Sequence, residues 1–469
     1  MKKFDAIVIG MGPAGMAVSA MGAAMGLDIL AVEKRKVGGE CLNCGCIPSK
    51  ALLKAGEANQ IAQNLKKYGI NAKVFTDTKE TLGIVREKVG RINGKKMMKA
   101  FEKVTLLLNE GSAEFVNKNT IKVNGKEYSA KKIFIGTGTE PFIPPIPGVE
   151  TLTEQNMLTN LNIFEQENIP ATLTIIGGGA IGTEMAQAFS RLGSKINLIQ
   201  MDEHLLPAGD KDAGILLEKK FKKENIGVYN STKIEKIEVK DNIIYTHTSN
   251  GVFEAEKILI ATGRKPVLEE LKLENAGIKY NRKGILIDEY MRTNIKNIYA
   301  IGDCNGYALL SHAAMHQGML ALMNAINPLP LKFKRSKYFV PWSVFTKPEV
   351  AQVGLTEKAA KNKNLKYIVI KKDFSSYGRT VADGQPDGFI KVITNKKGKI
   401  YGVTIIGEAA SEMIHEWILA IQKNLTMFDI LMTQHSFPTI SMLNKMVAED
   451  WMMEKMNSTF LQKVIKFFI

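Results

Sequence analysis

A short apolar strand, a glycine-punctuated turn and a small-residue helix occur in that order twice, and this repeat constrains the fold more than any other feature. Residues 4–9 (FDAIVI) form an apolar run of the kind found in a buried parallel strand, followed at once by Gly10-Met11-Gly12-Pro13-Ala14-Gly15. A helix is expected over 14–26, then a strand (LDILAVEK) carrying Glu33. In this G-x-G-x-x-G context the glycines permit a tight turn and close approach of a pyrophosphate to the backbone. The helix N-terminus faces the phosphate charge, and the acid about twenty residues on takes the ribose hydroxyls. The pattern recurs with a strand at Leu173–Ile176, Gly177-Gly178-Gly179-Ala180-Ile181-Gly182, a helix over 183–192 and a strand at Lys195–Gln200. Here the ribose position is Gln200, followed by Met201, Asp202 and Glu203. These acids would repel a 2′-phosphate, so NADH is preferred over NADPH.

Two dinucleotide sites in one chain suggest a flavin and a nicotinamide exchanging a hydride. Ile133–Gly138 (IFIGTG) and Ile258–Gly263 (ILIATG) read as strands ending in tight turns, and Thr293–Asp303 as a strand ending in Gly-Asp. Asp303 fits an acid on the ribityl hydroxyls of a flavin; it also fits a plain turn residue. The 469 residues suffice for about three domains. The fold class is α/β, with two Rossmann-like dinucleotide-binding domains and an α+β C-terminal domain. The Pro-rich PFIPPIPGVE and the Lys/Pro-rich PLPLKFKRSK mark boundaries. The first ends FAD-binding 1–150 and the second precedes a terminal domain, 338–469; between them NAD(P)-binding 151–270 gives way to FAD-binding again, 271–337.

With 23% charged and 45% hydrophobic residues the composition is that of a globular protein, and no apolar run approaches the roughly 18 residues of a membrane span. The net charge of +16 comes from scattered lysines such as Lys34, Lys67, Lys99 and Lys283, with no basic stripe for nucleic acid. No export signal is evident, so a cytoplasmic location is expected. Three of the four cysteines, Cys41, Cys44 and Cys46, fall within six residues, which points to redox chemistry or metal binding. No metal site is expected: Cys44 and Cys46 are too close for the usual zinc spacing and no His-rich partner segment accompanies them.

The run Gly38-Gly39-Glu40-Cys41-Leu42-Asn43-Cys44-Gly45-Cys46-Ile47-Pro48-Ser49-Lys50 resembles the redox loop of the flavoprotein disulfide reductases, the pyridine nucleotide-disulfide oxidoreductases of class I. It reads nearest the dihydrolipoamide dehydrogenase and mercuric-reductase-like branch. The resemblance spans both glycine fingerprints, the turns at Thr137-Gly138 and Thr262-Gly263, Gly302-Asp303, and FTKPEVAQVGLTE (345–357), which opens that family's dimerisation domain. It implies an FAD-dependent NAD(P)H oxidoreductase with a Cys41–Cys46 redox-active disulfide, Cys46 facing the flavin and Cys41 the outer substrate. Lys50 would lie beside the flavin, paired with Glu184. Gly10, Gly12, Gly15, Glu33, Lys50, Ala113, Thr137, Gly138 and Asp303 would hold FAD, with His312 at its pyrimidine end or capping a helix. Gly177, Gly179, Gly182, Gln200 and Gly263 would hold the nicotinamide nucleotide. The helix beginning near Pro48 would favour a thiolate. The expected assembly is a homodimer, and the acceptor a small-molecule disulfide or other electron acceptor.

Two departures narrow the function. The family's His-Pro-Thr-x-Ser-Glu segment reads Phe437-Pro438-Thr439-Ile440-Ser441-Met442, so Phe437 and Met442 replace its acid–base His and Glu. His435 is a candidate substitute or an ordinary surface or interface His. Cys44 is a small buried hydrophobe or a third reactive thiol. Three functions remain: the oxidoreductase above with an acceptor that needs no such His, a dihydrolipoamide dehydrogenase using a substitute base, and a flavoprotein subunit passing electrons to a protein partner. In the tail, Phe460, Leu461, Val464, Ile465 and Phe468 share one helical face opposite lysines. That face is expected to pack on its own dimer, with contact to a membrane surface the less favoured alternative. Met446, Met452, Met453 and Met456 read as interface or core filler.

Overall fold

The computed structural model describes residues 2–92, 94–330, 332–457 and 462. The tail face from Phe460 to Phe468 lies outside them. Packing divides the chain into two units. One comprises the chain up to Gly177, Ala188–Leu198 and Lys233–Lys337; the other comprises Gly178–Gln187, Ile199–Thr232 and the chain from Tyr338 onward.

The first unit is built on β1 (Lys3–Ile9), α1 (Pro13–Ala24), β2 (Ile29–Glu33), α2 (Gly39–Asn43), α3 (Cys46–Gln63), β3 (Thr105–Leu108), β4 (Ala113–Asn117), β5 (Thr120–Val123) and β6 (Lys126–Ile135). The sheet order is β3-β2-β1-β6-β5-β4, and Ile298–Ala300 also pairs with β6. β1, β2, β3, the C-terminal half of β6 and Ile298–Ala300 run parallel, while β4 and β5 return antiparallel. Parallel strands covered on both faces need near-continuous apolar sequence; Ile7, Ile9, Leu30, Val32, Ile133, Ile135 and Ile298 accordingly lie in one buried cluster. α1 packs on the helix Ser311–Ile326 so closely that a Cβ on Gly318 would lie 2.4 Å from the Ala14 carbonyl oxygen. α1 ends two residues short of its expected limit, because Gly26 adopts a left-handed φ of +80° and its N–H returns to the Ala23 carbonyl.

The same unit holds strands in the order Lys195–Ile199, Thr172–Ile176, Lys257–Ile260, Met157–Leu158, and a separate antiparallel sheet of Ile234–Lys240, Ile243–Thr248 and Gly251–Ala255. The expected long strand over Thr293–Asp303 shortens to Ile298–Ala300. The Thr293 hydroxyl accepts the Ile295 N–H and turns the chain before the strand begins.

In the second unit five strands form an antiparallel sheet in the order Trp342–Val344, Glu349–Gly354, Ile400–Gly407, Phe389–Thr394, Ile368–Asp373. The helices Ala410–Gln422 and Met442–Met456 cover it and bury Trp417 and Trp451. The Trp417 indole N–H donates to Asn444 Oδ1 at 2.8 Å, so the ring's one polar group is satisfied. Met446 and Met452 pack against this core, whereas Met453 and Met456 are exposed. Lys391 is buried in the sheet, its ammonium ringed by Asp210, Asp212 and Glu357 at 2.8–3.2 Å. Burial lowers its proton affinity, but Glu357, Asp210 and Asp212 outweigh that and hold it above the usual lysine range.

Candidate active site

The two fingerprints are braced alike. Gly10 has φ +95° and Gly177 φ +109°. A Cβ on Gly10 would lie 2.4 Å from the Gly136 carbonyl oxygen and 3.2 Å from the Thr137 nitrogen; on Gly177, 2.4 Å from the Ala261 oxygen and 3.2 Å from the Thr262 nitrogen. The Gly-Thr-Gly and Ala-Thr-Gly motifs therefore abut their fingerprint glycines, which explains why each accompanies one in the sequence. The residue at the end of the second strand of the first fingerprint, and the one just past it in the second, tie back to their turns. The Met11 N–H donates to Glu33 Oε2 at 2.8 Å, and the Gly178 N–H to Gln200 Oε1 at 3.0 Å. Glu33 also accepts the Arg35 N–H, and Gln200 Nε2 donates to Asp202. The glycine turns leave room: a Cβ on Gly12 would meet only the Gly39 Cα at 3.9 Å, and one on Gly179 nothing within 4 Å. The residues present thus fit a dinucleotide lying against each turn. Ala113 is buried at the start of β4, and the Thr137 hydroxyl donates to the Val267 carbonyl beside Gly138.

The redox loop lies between α2 and α3. Asn43 Nδ2 donates to the carbonyls of Val37 and Gly39, closing the short helix that carries Cys41. α3 begins at Cys46 itself, two residues before the expected start near Pro48, so this thiol sits at a helix N-terminus. Its Sγ lies 3.3 Å from Ser311 Oγ, and Ser311 is the first residue of the helix Ser311–Ile326. Two helix N-termini converge on one sulfur, an arrangement that favours a thiolate. None of the four cysteines is in a disulfide. Cys41 is hydrogen-bonded to Cys46; that bond, with burial, pushes its thiol well above the ordinary cysteine range. Lys50, one turn along α3, pulls the other way. Cys44 is pushed up to about 12, mainly by burial and next by Glu40. Cys304 is buried, bonded to the Ile135 and Ile301 carbonyls, and pushed up to about 12 by burial, as suits a structural thiol.

Arg264, which sequence reasoning did not single out, joins the site's motifs. Its Nε donates to Thr139 Oγ1 at 2.7 Å, its Nη1 to Asn160 Oδ1 at 3.3 Å, and its Nη2 to the Thr139 carbonyl at 2.9 Å and to Glu40 Oε2. Asn160 Nδ2 donates to the same Glu40 oxygen at 3.0 Å. The Thr139 hydroxyl donates to Asp303 Oδ2 at 3.4 Å. Burial pushes Asp303 up to about 6 against the pull of Arg264. For Arg264 the place directly after the Ala-Thr-Gly turn was the only hint, since Glu40 lies 224 residues away. His312 is exposed at the second position of the helix Ser311–Ile326.

In the second unit Gly179, Gly182, Glu184 and Gln200 are found with the segment after Trp342. Glu184 is buried, and its Oε1 accepts the Phe345 N–H at 3.0 Å. Gln187 bonds both the N–H and the carbonyl of Lys347. Phe437 is 77% exposed, its ring edge-on to Tyr377. The His435 side chain is 6% exposed and engaged at both nitrogens, Nδ1 with the Thr433 carbonyl at 3.1 Å and Nε2 with Glu416 at 3.0 Å.

Comparison with known proteins bears on this arrangement directly. Residues 4–318 match the pyridine nucleotide-disulphide oxidoreductase family, and 340–447 its dimerisation domain. The chain belongs to that family. It is 38% identical over 453 residues to a dihydrolipoyl dehydrogenase of Thermus scotoductus, covering 94% of this chain and 96% of the relative. It is 33% identical over 447 residues to a mercuric reductase of Bacillus cereus, covering 93% of this chain and 70% of the relative. Among solved structures, the HOCl-induced flavoprotein disulfide reductase RclA from Escherichia coli superposes with a TM-score of 0.84 at 25% identity, over 95% of this chain and 99% of that one. The Cu(II) complex of RclA does so with a TM-score of 0.86 over 96% and 99%. The protein is an NAD(P)H-dependent flavoprotein disulfide oxidoreductase, dihydrolipoyl dehydrogenase-like, with the adjacent Cys41–Cys46 pair as its dithiol. Among the described residues, no helix is long and apolar enough to cross a membrane, and no group of three or more His, Cys, Asp or Glu side chains is arranged to hold a metal ion.

Proposed function

We propose that this oxidoreductase draws electrons from NADH and delivers them from the Cys41–Cys46 dithiol to an acceptor that requires no protein-supplied proton, a thiophilic metal ion foremost. Bound FAD would supply the hydride acceptor between the nicotinamide and the cysteines. Gly10, Gly12, Gly15, Glu33, Ala113, Thr137, Gly138 and Asp303 would hold it, with Lys50, Glu184 and His312 as further candidate residues toward it. Gly177, Gly179, Gly182, Gln200 and Gly263 hold the nicotinamide nucleotide. The carboxylate of Asp202, bonded to Gln200, would face a 2′-phosphate and so supports NADH over NADPH. The segments 1–150 and 271–337 serve FAD, 151–270 the nicotinamide nucleotide, and 338–469 a homodimer, which the dimerisation domain supports. A cytoplasmic setting, where thiols stay reduced, belongs to the same reading.

One observation carries the choice of acceptor: an exposed phenyl ring, Phe437, stands where the family places its acid–base His, and Met442 where it places the orienting Glu. Reducing an organic disulfide takes two electrons and two protons, and the departing thiolate must be protonated. Reducing two Cu(II) to Cu(I) takes electrons alone; the dithiol becomes a disulfide and its two protons go to solvent. Loss of a general acid typically costs about 100- to 10,000-fold, and only the first of these reactions feels it. The names of the mercuric reductase and the Cu(II)-complexed neighbour fit this class of acceptor.

A dihydrolipoyl dehydrogenase with a substitute base is the second reading, favoured by the 38% relative. His435 is a poor substitute, since both ring nitrogens already have partners inside the subunit. Anaerobic NADH oxidation with Cu(II), read as Cu(I) formed, set beside NAD reduction with dihydrolipoamide, separates the two. The proposal expects two Cu(I) per NADH, lost in Cys41→Ser, and feeble dihydrolipoamide turnover. Efficient dihydrolipoamide turnover with no Cu(I) would overturn it.

A further inference from the structure

We infer that Glu40 and Arg264 are an opposed charge pair that positions the redox loop and sets the reduction potential of its dithiol, each residue offsetting the other. The inference rests on the reading that Cys41 and Cys46 carry the electrons.

The geometry singles out this pair. Arg264 uses Nε, Nη1 and Nη2 as donors, and its side chain is 15% exposed, that of Glu40 27%. Through Thr139 and Asn160 the guanidinium is fixed to two segments of the scaffold, while Glu40 is covalently next to Cys41 and lies within the same short helix. The Glu40 carbonyl also accepts the Cys44 N–H at 2.9 Å, so displacing Glu40 displaces the loop's backbone. A planar guanidinium held at three nitrogens cannot swing away to solvent as a surface lysine would.

The electrostatic consequence follows from sign. The reduced pair carries a thiolate that the disulfide lacks, so a nearby positive charge favours reduction and a negative charge opposes it. Glu40 raises and Arg264 lowers the proton affinity of both Cys44, the loop's middle thiol, and Asp303. The other ionisable groups facing the loop are Lys50 toward Cys41, Arg35 and Lys36 toward Cys44, and Asp303 toward Cys46. Being opposite in sign and in direct contact, the two charges of the intact pair are inferred to offset one another at the sulfurs.

The test equilibrates the holoenzyme against dithiothreitol redox buffers and follows the pH dependence of iodoacetamide alkylation, with each cysteine resolved by mass spectrometry. Glu40→Gln keeps the hydrogen-bonding shape and leaves Arg264 unopposed. Its dithiol should be easier to reduce by roughly tenfold in the equilibrium constant, about 30 mV for a two-electron couple, with the alkylation profile moved to lower pH. Arg264→Met should shift both quantities the opposite way. The double variant Glu40→Gln/Arg264→Met should return close to the parent. A merely structural pair would move both single variants in the same direction, or move neither potential, and either result overturns the inference. A parent enzyme whose cysteines are never reduced by NADH overturns the proposed function, and it is read before any variant is made.

Discussion

At the scale of single residues, Asp303 shows how the site holds charge in reserve. Its carboxyl is pushed from the ordinary range to about 6 by burial. An acid whose folded value lies above its unfolded value binds more protons when folded. Its penalty is therefore absent below about pH 4, grows as pH rises through 6, and is constant above, amounting to about 2–3 kcal/mol. FAD-free Asp303→Asn should melt higher than the FAD-free parent at pH 8 and equally at pH 3.5, while binding FAD more weakly; equal melting at pH 8 would contradict the burial argument. Phe437 and Met442 give the complementary prediction. Phe437→His with Met442→Glu should raise dihydrolipoamide turnover by about 100-fold or more without changing NADH-dependent Cu(II) reduction, measured by steady-state kinetics. The glycines, Glu33 and the cysteines were legible in the sequence because each acts through its own loop or a turn some twenty residues away. Arg264 was not, because its meaning lies in Glu40, Thr139 and Asn160, which only the folded chain brings within reach.

Among the elements, the repeated strand–turn–helix was readable because two periodicities meet at a glycine that must adopt positive φ. Limits slipped where local side chains intervened: Thr293 shortened a strand, and α3 began at Cys46 where Pro48 alone suggested a later start. The latter shift matters chemically, since it sets Cys46 rather than its neighbours at the helix end. In the antiparallel sheet of the second unit, Lys391 was silent in the sequence because a lysine in a strand usually faces water. Here its ammonium holds three carboxylates together. Lys391→Met should destabilise the protein by about 3–5 kcal/mol, because it leaves the buried Asp210 without its counter-ion. Chemical denaturation monitored by tryptophan fluorescence would show this, as Trp417 and Trp451 lie in that unit's core. A loss below about 1 kcal/mol would mean that the carboxylates find other partners.

For the whole molecule, the twofold use of one device defines the chemistry: two fingerprint glycines, each lodged against a Thr-Gly turn at matching distances, equip one chain for two dinucleotides. That much was visible in the sequence and placed the chain in its family. The acceptor was not, because it depends on an absent acid–base pair rather than on a motif. Asp202 beside Gln200 predicts that NADH reduces the enzyme at least several-fold more efficiently than NADPH, by kcat/KM with a common acceptor. The central claim is that electrons reach the Cys41–Cys46 pair. It is tested most directly by titrating the purified holoenzyme anaerobically with NADH and recording its visible spectrum. Two electrons should produce a long-wavelength band while oxidised-flavin absorbance persists, the signature of the Cys46 thiolate against the ring, and Cys46→Ser should abolish it. Direct bleaching of the flavin with no such band would place the cysteines off the electron path and contradict the claim.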